Sequence, residues 1–159
     1  ALAAREGDET GARLWLAALS EGESGDLLDA AREVEGGFPN LVIACGQARA
    51  QGGDLAGAER AFARAVETNP ADSHAHFCRG DALYQLECYA DAVVAYESGL
   101  QLRPDHADGW FTLGNAVAQL GGTDLAMRCY REALSHNPEH SGASANLRTL
   151  EADCYQAAA

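Results

Sequence analysis

Between residues 107 and 140 the apolar positions recur with helical spacing. Trp110, Leu113, Gly114 and Val117 stand at i, i+3, i+4 and i+7, which puts them on one face of a helix. Gly121 and Gly122 break that helix, and Leu125, Ala126, Tyr130, Ala133 and Leu134 form the apolar stripe of a second. Pro138 follows its end, where the ring cannot continue a helix. The same pattern returns when the chain is shifted by 34 residues, so that 39–72, 73–106 and 107–140 align without a gap. The matched columns are Gly46/Gly80/Gly114, Ala48/Ala82/Ala116, Gln51/Gln85/Gln119, Ala58/Ala92/Ala126, Phe62/Tyr96/Tyr130, Ala65/Gly99/Ala133 and Pro70/Pro104/Pro138. Three consecutive two-helix units are therefore predicted. Ser73 and Asp105 stand where N-caps of first helices are expected. Gly46, Gly80 and Gly114 are expected to face Ala58, Ala92 and Ala126 across each hairpin, so that the paired helices approach closely. The aromatic column then fills the space toward the next unit.

The flanks extend the same architecture. Residues 141–159 place Ala143, Leu147, Leu150 and Cys154 on one stripe, predicting an amphipathic helix that caps the last unit. In residues 1–38, Ala12, Leu16 and Leu19 follow a Gly7-Asp8 turn, and Leu27, Leu28, Ala31 and Val34 precede Gly36-Gly37. That segment reads as degenerate helical repeat material.

Composition narrows the function. The chain has 159 residues, with 33 alanines, 17 glycines, 11 arginines, no lysine and 24 carboxylates, for a formal charge of −13. Residues 1–38 carry −6 of it, the three units −6 and the tail −1. An apolar content of 47% marks a globular chain rather than a disordered one. Its scattered arginines form no basic face, which argues against nucleic acid as a partner. No apolar run reaches the roughly 20 residues of a membrane span. The start lacks both a leader and a methionine, and reads as a piece cut from a longer chain. Abundant alanine, and arginine without lysine, fit a GC-rich genome and a bacterial cytoplasm.

Catalytic and metal chemistry find little support in the motifs. Cys45, Cys78, Cys88, Cys129 and Cys154 are widely spaced with no CxxC pair, so buried reduced thiols in a reducing compartment are expected. His74 and His76 are two apart and point in different directions on a helix. His136 and His140 straddle Asn137-Pro138, and His106 and His140 lie one unit apart, so surface and capping roles are expected rather than a metal site. Neither a phosphate loop nor a nucleophile elbow is present. No cofactor, metal or active site is expected.

In its columns the third unit resembles the tetratricopeptide repeat family. Trp110-x2-Leu113-Gly114-x2-Val117, then Ala126-x3-Tyr130 and Pro138, follow the family pattern with valine in a usual tyrosine place. The second unit departs at His76 and Arg79, the first at Val42, Cys45 and Arg49. The resemblance implies an all-α, right-handed α-solenoid of antiparallel helical hairpins whose first helices line a concave groove. Carried onto this sequence, the groove rows are Ile43, Phe77 and Phe111; Gln47, Asp81 and Asn115; and Gln51, Gln85 and Gln119. Asn40, His74 and Asp108 border them, and Tyr84 adds an aromatic.

A carboxamide both donates and accepts, so a ladder of Gln and Asn suits the unpaired backbone of an extended peptide. Phe77 and Phe111 are expected as its apolar anchors. The plain alternative is a solvated Gln column and a Phe column packed between helices. Some family members hold the carboxylates of chaperone tails with a Lys, Arg and Asn clamp, of which only Asn115 has a counterpart here. Others run an asparagine ladder where this chain has Ala44, Cys78 and Thr112, with only Asn146 in the terminal helix. The expectation is a non-enzymatic scaffold or adaptor binding a neutral or basic protein segment with apolar anchors. An accessory arm of a larger enzyme, such as a transferase, is the alternative, and self-association through the solenoid ends is a further possibility.

Overall fold

The computed structural model describes residues 39–157, and every element in that range is helical. The expected N-terminal repeat material lies outside the described residues. The described residues divide into two units, one ending at Pro70 and the other beginning at Ala71. In the first, α1 (Pro39–Gln51) packs on α2 (Leu55–Thr68). The second contains α3 (Ser73–Gln85), α4 (Tyr89–Leu102), α5 (Ala107–Gln119), α6 (Thr123–His136) and α7 (Ser141–Ala157). Each of these packs on its chain neighbour, and α3 also touches α5, so the second unit forms a layered row. No helix among the described residues is long and apolar enough to cross a membrane.

Short polar connections stop and restart the helices. In the first unit, Asp54 caps α2 by accepting from the Gly57 N–H at 2.9 Å, and also pairs with Arg49 at 2.7 Å. The caps of the second unit differ from those expected at Ser73 and Asp105. Asp72 caps α3 through the His74 N–H at 2.9 Å, while Ser73 is buried. His106 caps α5, its Nδ1 accepting from Gly109 at 2.8 Å, and His140 does the same for Ala143 ahead of α7 at 3.1 Å. A neutral imidazole offers one ring acceptor, which serves an orphan helix N–H as a side-chain oxygen does.

Within each hairpin the turn needs a left-handed residue. Gly53 and Gly121 provide it with φ of 84° and 80°, but the equivalent place between α3 and α4 holds Glu87 at φ 62°. A side chain there costs roughly 1–2 kcal/mol.

The core is built from small residues and rings. Ala58, Ala92 and Ala126 are wholly buried, as are Ala75, Ala116 and Ala143. The helical glycines face aromatic rings rather than these alanines. A Cβ on Gly80 would lie 2.5 Å from the Tyr96 ring, and one on Gly114 2.6 Å from the Tyr130 ring; Gly46 meets Phe62 in the same way. Leu147 and Leu150 of α7 pack on the core of the second unit with Ala143, whereas Cys154, expected on that stripe, is exposed. Leu125, expected on the stripe of α6, is also exposed.

Two stability predictions follow from these geometries. Gly80→Ala gains about 1 kcal/mol of helix propensity, but the buried ring has nowhere to go. Overpacking of that kind costs about 1–3 kcal/mol, so the variant is expected to be less stable in urea denaturation. Glu87→Gly relieves the left-handed strain and is expected to stabilise by about 0.5–1 kcal/mol after the unfolded chain's gain in freedom is subtracted.

Candidate functional site

The site begins with the glycines of the second unit. Without a Cβ at Gly80 and Gly114, the rings of Tyr96 and Tyr130 lie directly against α3 and α5. Both rings are almost fully buried, so their hydroxyls need partners. The Tyr96 hydroxyl donates to Asp81 Oδ1 at 2.8 Å, and that of Tyr130 donates to Asn115 Oδ1 at 2.9 Å. Asn115 Oδ1 also accepts from Asn146 Nδ2 at 2.9 Å, which ties α7 into the same network. Burial raises the Tyr96 pKa, and the neighbouring Asp81 carboxylate raises it further, so the phenol stays a donor. Burial likewise raises the Tyr130 pKa.

These bonded pairs form part of the lining of two adjoining hollows. One, of ≈ 180 Å³, is bounded by Asp81, Tyr84, Gln85, Tyr96, Thr112 and Asn115. The other, of ≈ 380 Å³, is lined by the α5 residues Asn115, Ala118 and Gln119, by Tyr130, and by Asn146, Thr149 and Leu150 at its far side. Tyr84 and Asn115 belong to both, so the hollows form a continuous surface over α3, α5 and α7. The Tyr84 ring meets Tyr89 edge-on at 5.2 Å, which holds it in place.

Five of the residues expected in the groove, Asp81, Tyr84, Gln85, Asn115 and Gln119, therefore lie together. Asp81 keeps an exposed outer edge, yet the surrounding surface strips much of its hydration. That loss raises its pKa, and the Tyr96 hydrogen bond opposes the rise.

The apolar row is corrected. Phe77 is buried, stacked on His106 with ring centroids 4.5 Å apart, and it occupies the space left by Gly99 and Gly109. Phe111 is half-buried, 4.6 Å from the His140 ring and close against Gly142. Both rings hold successive helices of the second unit together, because an aromatic side chain gains more from that contact than from water. His140 completes the joint by donating from Nε2 to Asp108 at 3.2 Å. In the first unit Ile43 is buried, while Gln47 and Gln51 are exposed on α1.

Tyr96, Tyr130, Thr112, Asn146 and Thr149 were not expected in the lining. One signal for the tyrosines was available. A hydroxyl occurs in the aromatic column only where the residue 15 places earlier is Asp81 or Asn115, and Phe62 follows Gln47 by the same interval. The thiols are split rather than uniformly buried. Cys45 and Cys129 are buried, and desolvation pushes Cys129 up to about 11, whereas Cys88 and Cys154 are exposed.

Residues 80–121 match a family model described as TPR repeat, and residues 107–140 one described as Tetratricopeptide repeat. Residues 80–140 thus carry tetratricopeptide repeats, and the described residues take the all-α fold of that family. Similar solved structures include the first TPR of Spaghetti (RPAP3) bound to the HSP90 peptide SRMEEVD, with TM-score 0.73 and 17% identity, covering 77% of this chain and 97% of that one. MamA 41-end from Desulfovibrio magneticus RS-1 gives 0.72 at 19% identity, over 89% of this chain and 84% of its own. YrrB, described as a TPR protein with an unusual peptide-binding site, gives 0.71 at 20% identity, over 89% of this chain and 76% of its own. At these identities the likeness concerns the fold. No curated protein matches the chain in sequence.

Asp81 yields a pH prediction. Its folded pKa is raised, so between the unfolded and folded values the native state binds more protons, and stability falls as pH rises through that window. Asp81→Asn keeps an acceptor for Tyr96 and removes the charge. It is expected to stabilise at neutral pH, with the gain shrinking as the pH falls from the raised folded value toward the ordinary carboxylate value, and gone below it. Thermal melts of both proteins from neutral to acidic pH check this.

Proposed function

We propose that the surface over α3, α5 and α7 binds an extended segment of another protein, making the chain a non-enzymatic interaction module of scaffold or adaptor type. The observation that carries this reading is the lining itself. Gln85, Asn115, Gln119, Asn146, Thr112 and Thr149 bring donors and acceptors from three helices onto one continuous surface. Those groups match the alternating N–H and C=O of an extended backbone irrespective of its side chains. Tyr84, Ala118 and Leu150 supply apolar area between them, in the place first assigned to the phenylalanines. Peptide binding by RPAP3 and YrrB supports the reading by analogy of fold. The RPAP3 peptide carries acidic residues, whereas this lining presents a carboxylate and the chain contains no lysine, which favours a different class of segment.

The test is selection of 12-residue peptides from a random display library on the full chain. Peptides are expected to be enriched, and Tyr84→Ala combined with Gln119→Ala is expected to weaken their binding at least tenfold, about 1.4 kcal/mol. Retained melting temperature checks that the variant is folded. Selected peptides that bind it undiminished, or a library that yields none, would overturn the reading.

A further inference from the structure

Asp81 and Asn115 occupy equivalent places in successive hairpins and meet the same structural need. Each accepts a tyrosine hydroxyl, at 2.8 and 2.9 Å. Asn115 demonstrates that a neutral amide meets that need, so the negative charge of Asp81 is surplus to the packing. One carboxylate oxygen takes the Tyr96 bond, and the carboxylate borders the ≈ 180 Å³ hollow together with Tyr84, Gln85 and Thr112. Partial loss of hydration makes the charge costly there, as its raised pKa reflects.

The titratable groups whose charged forms act on Asp81 are His74 and His106. His106 is committed to the Gly109 cap and the Phe77 stack, and a ring nitrogen of His74 lies 3.6 Å from the Cys78 sulfur. The bonded partner of Asp81 is the uncharged Tyr96, while Arg49 and Arg131 pair with Asp54 and Glu151. Residues 71–159 carry five arginines against 12 carboxylates, a net −7, which attracts basic segments over the whole unit.

We propose that the hollow over Asp81 seats a basic side chain of the bound segment, arginine in preference to lysine, with Asp81 as counter-ion and Tyr84 as aromatic wall. A planar guanidinium presents several donors at once, so it reaches both the free carboxylate oxygen and the Gln85 amide oxygen while stacking on a ring. An ammonium satisfies the charge without the stack. The inference rests on the groove reading and gives it a register: a basic residue belongs over α3 and α4, and a neutral one over Asn115 and Tyr130.

The experiment uses the peptides selected on the full chain. They are expected to share an arginine, less often a lysine, at one register. Replacing that arginine by citrulline, which keeps the shape and removes the charge, is expected to weaken binding at least tenfold in fluorescence anisotropy. On Asp81→Asn the same replacement is expected to change affinity less than twofold. Selected peptides that need Tyr84 and Gln119 but show no basic register, or an Asp81→Asn variant that keeps the full arginine preference, would overturn the cation seat and leave the groove standing. Peptides indifferent to Tyr84 and Gln119 overturn both. Asn115 is the precedent for an amide at this place, and the citrulline comparison on the unaltered chain decides the question even where Asp81→Asn fails to fold.

Discussion

The second unit depends on two missing methyl groups. Because Gly80 and Gly114 carry no Cβ, the Tyr96 and Tyr130 rings rest directly on the backbone of α3 and α5. Helix propensity opposes glycine at both positions by roughly 1 kcal/mol each. Close packing of a large ring offsets that, since a buried aromatic gains more than its area alone when its polar tip is satisfied. The hydroxyl at that tip reaches Asp81 or Asn115. One contact therefore closes each hairpin and fixes a polar group on the surface proposed to bind a partner.

The joints between hairpins follow a related rule. Phe77 and Phe111 lie against small residues of later helices, Gly109 and Gly142, and against the histidines that cap those helices. Cap and aromatic contact are thus one feature: the imidazole satisfies an orphan N–H and packs on the preceding repeat. Placing the rings inside explains why the lining over α3, α5 and α7 is mainly amide, hydroxyl and tyrosine. The exposed surface is polar because the phenylalanines are committed elsewhere.

Much of the fold was legible in the sequence because the repeat preserves both period and punctuation. Glycine recurs at Gly46, Gly80 and Gly114, and proline at Pro70, Pro104 and Pro138, without a gap. Asp81, Tyr84, Gln85, Asn115 and Gln119 could be placed by the same register. Phe77 and Phe111 could not, because helical periodicity alone does not say which of two flanking grooves an apolar side chain enters. The caps were missed by one residue, at Asp72 and His106, since a histidine acceptor competes with the usual Ser and Asp signals. Tyr96 and Tyr130 were read as filling alone, although a buried phenol demands a partner. Glu87 shows the opposite effect: tertiary packing holds a residue in a turn conformation that its own side chain disfavours.

A cycle combining Gly80→Ala with Tyr96→Leu tests the glycine–ring contact most directly, because it changes both sides of that contact. With the tyrosine present, the added methyl meets the ring and the protein loses stability. With leucine in its place, the methyl has room and helix propensity prevails, so Gly80→Ala becomes neutral or stabilising. The account predicts that change of sign in urea denaturation, with a coupling energy of about 1–3 kcal/mol. Equal effects of Gly80→Ala in the two backgrounds would contradict it.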